Sequence, residues 1–252
     1  KVHNALLDDY IVGKHAIREI ASLVARYGAT KPYLIVYRNT YQAAGKQVCK
    51  VLDAHNIPYS LYVFSQETIH PNEEAVGSAA MHYDVSCDMV IGIGSGVIND
   101  IGKLISKLTK TPYIIVATAP SMDGYASATS SMDVDGLKTS VPSRCANVIV
   151  GDLDVLREAP VQMLISGLGD MLAKYVSICE WRISNLITEE YYCPTVAEYI
   201  RKALKKSVDH AEGLLNREEE AVRAVFEGLI IGGVAMNYAG LSRPASGVEH
   251  YF

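Results

Sequence analysis

Four short runs rich in β-branched and aromatic residues, at 32–37, 59–64, 88–93 and 112–117, alternate with amphipathic stretches at 41–55, 72–83 and 97–108. That alternation leaves few folds open. A strand, a helix and another strand at this spacing close into right-handed βαβ units, whose parallel strands are covered by helices on both faces. The runs suit such burial, because Tyr-Leu-Ile-Val at 33–36 and Tyr-Ile-Ile-Val at 113–116 lack an apolar/polar alternation. Asp133-Val-Asp-Gly136 is a turn signal, so a small hairpin is expected over 130–139, followed by a strand at 146–151.

Beyond residue 151 the character changes, and short β-rich runs give way to long helical patterns. Pro160 stands where the first turn of a helix tolerates proline. A long, largely apolar helix is expected from 161 to 182, with further helices over 195–215 and 217–237. The expected architecture is therefore an α/β, Rossmann-like domain over residues 1–155. It is followed by an all-α domain, incomplete here, over residues 156–252.

Composition narrows the functional classes. With 49% hydrophobic residues among 252 the chain has ample apolar surface for a core, which excludes a disordered segment. Lys and Arg number 23 against 28 Asp and Glu, with no basic run, which argues against nucleic-acid binding. No apolar stretch reaches the roughly 18 residues that would span a bilayer, and residues 1–10 lack a signal-peptide core. Cys49, Cys87, Cys145, Cys179 and Cys193 are odd in number and form no C-x-x-C pair, as expected of reduced thiols in a cytoplasmic protein.

Three constellations carry chemistry. Gly92-Ile-Gly-Ser-Gly-Val-Ile-Asn-Asp100 lies between an expected strand and an expected helix, where glycines admit a ligand and the helix N-terminus offers N–H groups to a phosphate. Here the loop follows the third expected strand, so a ribose-reading residue must come from an earlier one, and Tyr37, Arg38 and Asn39 stand after the first. Ala117-Thr-Ala-Pro-Ser-Met-Asp-Gly-Tyr-Ala-Ser127 places Thr118, Ser121, Asp123 and Ser127 at the carboxyl end of the fourth, where α/β folds bind ligands. A solvated Pro-Ser and Asp-Gly turn explains the same residues. Asp170, in Gly167-Leu-Gly-Asp-Met-Leu-Ala-Lys174, interrupts an apolar helix, and its carboxylate needs a partner or a metal if buried. Lys174, four residues on, is the ordinary helical partner.

In order, Gly94-Ser-Gly-Val-Ile-Asn-Asp-Ile-Gly-Lys103, Thr118-Ala-Pro-Ser-Met-Asp-Gly-Tyr-Ala-Ser127, Gly169-Asp-Met-Leu-Ala-Lys174 and Ser242-Arg-Pro-Ala-Ser-Gly-Val-Glu-His250 resemble the iron-containing alcohol dehydrogenase and dehydroquinate synthase-like superfamily. The nearest likeness is to its glycerol-1-phosphate dehydrogenase branch. The resemblance implies that Gly94, Ser95, Gly96, Val97 and Ile98 cradle a dinucleotide pyrophosphate. It implies that Thr118, Ser121 and Ser127 flank the nicotinamide and that Asp123 meets substrate hydroxyls. Asp170 and His250 would hold a divalent metal (zinc, iron or nickel). The implied reaction interconverts dihydroxyacetone phosphate and glycerol 1-phosphate by hydride transfer, with glycerol dehydrogenase activity or a binding-only fragment as alternatives. A small phosphorylated substrate would be the partner, and the family often forms oligomers.

Two departures from the family pattern follow. Tyr37-Arg38 stand where the family usually carries an acidic residue for the ribose of NAD, and Arg38 there would meet a 2′-phosphate, so NAD and NADP both stay open. The family's second metal-binding histidine lies downstream of the first, whereas Phe252 is two residues beyond His250. The expectation is a fragment of a longer enzyme, with a third metal ligand absent. Lys103, Lys138, Lys174 and Arg243 are unranked candidates for a substrate phosphate.

Overall fold

The strands β1 (Asp9–Gly13), β2 (Pro32–Tyr37), β3 (Ser60–Phe64), β4 (Met89–Gly94), β5 (Tyr113–Ala117) and β8 (Val148–Asp152) form one sheet in the order β1-β8-β5-β4-β2-β3. Every pairing in it is parallel. The computed structural model describes residues 6–66 and 68–247. The helices of this region are α1 (Ile20–Arg26), the single turn α2 (Arg38–Thr40), α3 (Lys46–Ala54), α4 (Glu73–Met81), α5 (Gly96–Thr109) and the short α6 (Leu153–Leu156). Strands β6 (Thr129–Val134) and β7 (Leu137–Pro142) make a separate antiparallel hairpin. Its Asp135 and Gly136 both have positive φ, 51° and 76°, as a two-residue turn matched to strand twist requires.

One face of the sheet carries Leu34, Val36, Ile91, Ile93, Ile114, Val116, Val148 and Val150, which alternate along their strands and pack on Ile17, Ile20, Leu23, Val48 and Leu52. Full burial of each such side chain contributes about 1.5–3 kcal/mol. The period-2 geometry that aims these residues at the helices leaves Tyr33, Ile35, Val90, Ile115 and Ile149 for the other face, and they too are buried. Asn72 caps α4 by accepting the Ala75 N–H at 2.9 Å, and Glu73 and Glu74 follow at the positive end of the helix dipole.

The remaining helices are α7 (Val161–Thr188), α8 (Pro194–Asp209) and α9 (Glu219–Ala239). Pro194 opens α8 at its first turn, and Gly240, at φ 70°, closes α9. Trp181 and Ile178 of α7 pack on Val196, Ala197 and Ile200 of α8 and on Ala235 and Ala239 of α9. The opposite side of α7 is apolar too: Ile165, Leu172, Val176, Ile183 and Ile187 are exposed. Among the described residues no helix is long and apolar enough to cross a membrane.

The chain divides into two compact units. Leu7–Ala119 with Ala128–Leu156 form the sheet unit, and Pro120–Ser127 join the helical unit that runs on from Arg157. The sequence alone places 120–127 within the α/β domain of residues 1–155. Tertiary packing moves this excursion into the other unit. The structure also has β1 and α1 ahead of the first expected strand, so the glycine-rich loop follows the fourth strand rather than the third.

Candidate functional site

In the sheet unit the candidate residues gather at the carboxyl ends of β2, β4 and β5. The chain passes from β2 to β3 on one side and from β4 to β5 on the other, so the strand order reverses between β2 and β4. The crevice beyond such a switch point is where open α/β sheets bind ligands. Val36 pairs with Ile93, which brings the exposed Arg38 and the turn at Gly94 and Ser95 to the same end of neighbouring strands. A Cβ on Gly94 would lie 2.6 Å from Ile98 Cβ, so glycine is what lets the chain turn directly into α5. The Gly94 carbonyl accepts the Thr118 N–H at 3.1 Å, which fixes Thr118 beside this turn. The first N–H groups of α5, on Gly96, Val97 and Ile98, have no acceptor within the helix by geometry, and they suit an anion. This surroundings fits a dinucleotide pyrophosphate.

In the helical unit Pro120–Ser127 is not the solvated turn that its residues suggested. Tyr125 and Ala126 are fully buried, and Tyr125 meets Phe226 edge-on with centroids 5.5 Å apart. A Cβ on Gly167 of α7 would fall 1.8 Å from the Pro120 carbonyl oxygen, and one on Gly233 of α9 would fall 2.7 Å from the Asp123 oxygen. Glycines on both helices therefore let the segment lie against them. Asn237 Nδ2 donates to the Ala126 carbonyl at 2.6 Å, and Ser127 Oγ donates to that of Gly124 at 3.1 Å.

This packing closes a ring of charges. The Asp123 N–H donates to Asp170 Oδ2 at 2.8 Å. Lys174 Nζ donates to Asp170 Oδ1 at 3.0 Å and to Asp123 Oδ2 at 2.8 Å. It also reaches the Asp170 carbonyl at 3.1 Å. The lysine side chain is 0% exposed and each carboxylate 15%. Burial, then the charge of Asp123, pushes the Asp170 carboxyl above its usual range against the pull of Lys174. Burial alone would lower the Lys174 ammonium, but the two carboxylates reverse this and raise it. Two carboxylates and one ammonium leave a net negative charge in a largely dry place, which suits a cation or a polyol hydroxyl.

The helical ion pair Asp170–Lys174 thus exists, but it is buried and shared with a residue 51 positions away from the lysine. Nothing in local spacing announced that link. Ser121, Asp123, Ser127 and Asp170 belong to the helical unit, whereas Arg38, Gly94, Ser95, Gly96, Val97, Ile98 and Thr118 belong to the sheet unit. His250 lies outside the described residues. Among the described residues no three His, Cys, Asp or Glu side chains converge. The donor set fits a metal in part, through the Asp170 carboxylate and the surplus negative charge beside it. Of the four basic candidates, Lys103 and Lys174 are buried and Arg243 Nε sits 3.2 Å from Glu190 Oε2. Lys138 is exposed on β7.

The family described as iron-containing alcohol dehydrogenase matches residues 11–160. Among curated proteins, the glycerol-1-phosphate dehydrogenase [NAD(P)+] of Pyrococcus furiosus is 33% identical over 249 residues, covering 97% of this chain and 70% of that one. That of Halalkalibacterium halodurans is 30% identical over 248 residues, covering 97% and 62%. The chain thus spans less than two thirds of the length of the latter. Glycerol dehydrogenase from Schizosaccharomyces pombe shares the fold at TM-score 0.77 with 24% identity, covering 93% of this chain and 62% of its own. An iron-containing alcohol dehydrogenase from Thermotoga maritima does so at TM-score 0.74 with 15% identity, covering 95% and 70%.

Proposed function

The chain belongs to the iron-containing alcohol dehydrogenase family, and on that premise we propose that it interconverts dihydroxyacetone phosphate and glycerol 1-phosphate by hydride transfer with NAD or NADP. The observation that carries the reading is the carboxylate pair Asp123 and Asp170, held by Lys174 in a chain about 30% identical to glycerol-1-phosphate dehydrogenases along 97% of its length. A dehydrogenase for a polyol needs acceptors for several hydroxyls and a carboxylate that would hold the cation polarising the reacting one, and this pair suits both needs.

In this reading the turn from Gly94 through Ser95, Gly96, Val97 and Ile98 binds the pyrophosphate on its N–H groups. Thr118, Ser121 and Ser127 flank the nicotinamide. Arg38, at the end of β2, meets the adenosine ribose and accommodates the 2′-phosphate of NADP. Asp123 accepts hydrogen bonds from substrate hydroxyls. Asp170, together with His250, holds the divalent ion, be it zinc, nickel or iron. When bound, the metal supplies Lewis-acid polarisation of the reacting oxygen. Packing of Tyr125 and Ala126 keeps water from the back of the Asp123 loop, so the carboxylates act in low dielectric.

Oxidation of NADH and NADPH with dihydroxyacetone phosphate and with dihydroxyacetone, with and without Zn²⁺, Ni²⁺ or Fe²⁺, tests the reading. The expected result is metal-dependent turnover that favours the phosphorylated ketone. Equal turnover of both ketones would transfer the reading to free polyols, and turnover of neither would remove it. The Arg38→Ala variant should lose affinity for NADPH selectively; equal losses for both cofactors would detach Arg38 from the 2′-phosphate.

A further inference from the structure

The geometry points to Lys174 as a positioning residue, whose ammonium clamps one oxygen of Asp123 so that the other is presented to a substrate hydroxyl. The inference rests on the proposed polyol chemistry and adds to it a residue that the sequence offered only as a helical ion-pair partner or a phosphate ligand.

The hydrogen bonds divide the carboxylate oxygens unequally. Both oxygens of Asp170 are engaged, Oδ1 by Lys174 at 3.0 Å and Oδ2 by the Asp123 N–H at 2.8 Å. Asp123 Oδ2 accepts from Lys174 at 2.8 Å. Asp123 Oδ1 has no hydrogen-bond partner among the described residues, in a side chain that is 15% exposed. A carboxylate with one oxygen held and the other open is an oriented acceptor. It meets a hydroxyl without first giving up rotational freedom.

Lys174 is built into this place. Its side chain is wholly buried, and its ammonium has acceptors on three segments: Asp123, Asp170 with its own carbonyl, and the Ala245 carbonyl at 3.5 Å. A Cβ on Gly232 of α9 would come within 2.8 Å of Lys174 Cε, so that glycine leaves room for the lysine stem. A buried lysine with three polar donors and a fixed stem cannot reach out to a substrate phosphate. Its task is to hold the two aspartates, and a point charge on a four-carbon stem spans them where a neutral side chain would not.

A double-mutant cycle decides the matter, using wild type, Asp123→Asn, Lys174→Met, the double variant and Lys174→Gln as a second lysine replacement. Turnover of dihydroxyacetone phosphate, dissociation constants for NADH by fluorescence, and thermal midpoints are measured on each. Lys174→Met is expected to lose about 100-fold in kcat/KM, with NADH affinity held within about twofold. Added to Asp123→Asn it should cost little more, because residues that act as a unit are not additive. A merely structural lysine would instead lower the thermal midpoint equally in both backgrounds while folded protein turned over at the wild-type kcat. Multiplicative losses, a wild-type kcat, or failure of both lysine variants to fold overturn the proposal. An inactive wild type defeats the functional reading, and the proposal with it; an active wild type with an unaffected Lys174→Met defeats the proposal alone.

Discussion

Lys103 in the sheet unit and Lys174 in the helical unit are both fully buried, and each is bound to an aspartate one turn back on its own helix, Asp100 at 3.0 Å and Asp170 at 3.0 Å. Each also ties its helix to a segment distant in sequence. Lys103 donates to the Thr129 carbonyl at 2.5 Å and so fastens the β6–β7 hairpin to α5. Lys174 reaches a second carboxylate. In the first arrangement the one carboxylate, Asp100, feels the Lys103 ammonium in contact and Lys138 beyond it, so no negative charge is left in excess. The second carries one negative charge in excess. Equal burial with unequal charge separates a fastening from a site: a balanced pair has no use for a further ligand, whereas an unbalanced one favours a cation or a hydroxyl donor.

The largest effect should fall on the fastening. Lys103→Met leaves Asp100 buried without its ammonium, and burial already pushes that carboxyl upward against the pull of Lys103. A loss of about 3–5 kcal/mol is expected from urea unfolding of the sheet unit. A cost near zero would mean that the pair is not the hairpin's fastening and would erase the contrast with Lys174.

Gly167→Ala tests the helical unit without touching a charge. Its new Cβ collides with the Pro120 backbone, so the Asp123 loop must shift, at about 1–3 kcal/mol. Activity should fall while NADH affinity holds, and Gly94→Ala should do the reverse by disturbing the turn into α5. Both variants losing NADH affinity alike would dissolve the division of labour between the units.

The smallest effect is in the acid limb, where the units differ in sign. Burial would raise Asp88, but the N–H groups of Lys31 and Thr30, with the Thr30 hydroxyl, hold it below the usual range. A depressed carboxyl stabilises above its unfolded pKa and loses that contribution as pH falls through the folded value. The deficit of Asp88→Asn should therefore be full at neutral pH and close in acid. Asp170 is raised, so its contribution is present in acid and is lost as pH rises through the folded value. Asp170→Asn should accordingly gain on wild type as pH rises from the ordinary carboxylate range. Urea midpoints across pH for both variants check this, and slopes of the same sign would refute it.

Apolar runs such as 33–36 and 113–116 could be read as parallel strands from residues alone, because a strand buried on both faces has no other composition. The Asp135-Gly136 turn was legible for a similar reason, since its positive φ values select the residues. Strand β1 was not, because Asp9–Gly13 is half exposed and its partner β8 lies at the far end of the sheet unit's sequence. Asp170 could be singled out as a carboxylate in an apolar helix, and Asp123 only as a residue of a polar loop.

The sequence by itself determined the layered sheet, the glycine turn into α5 and the helices after Pro160, all of which follow from spacings within a few residues. Only the tertiary structure decided that 120–127 packs with the helices and that Lys174 joins Asp123 to Asp170. Local periodicity states which face of an element is buried but not against what. The distance between two charges 51 residues apart is set by where glycines allow backbones to touch, and that depends on the whole packed unit.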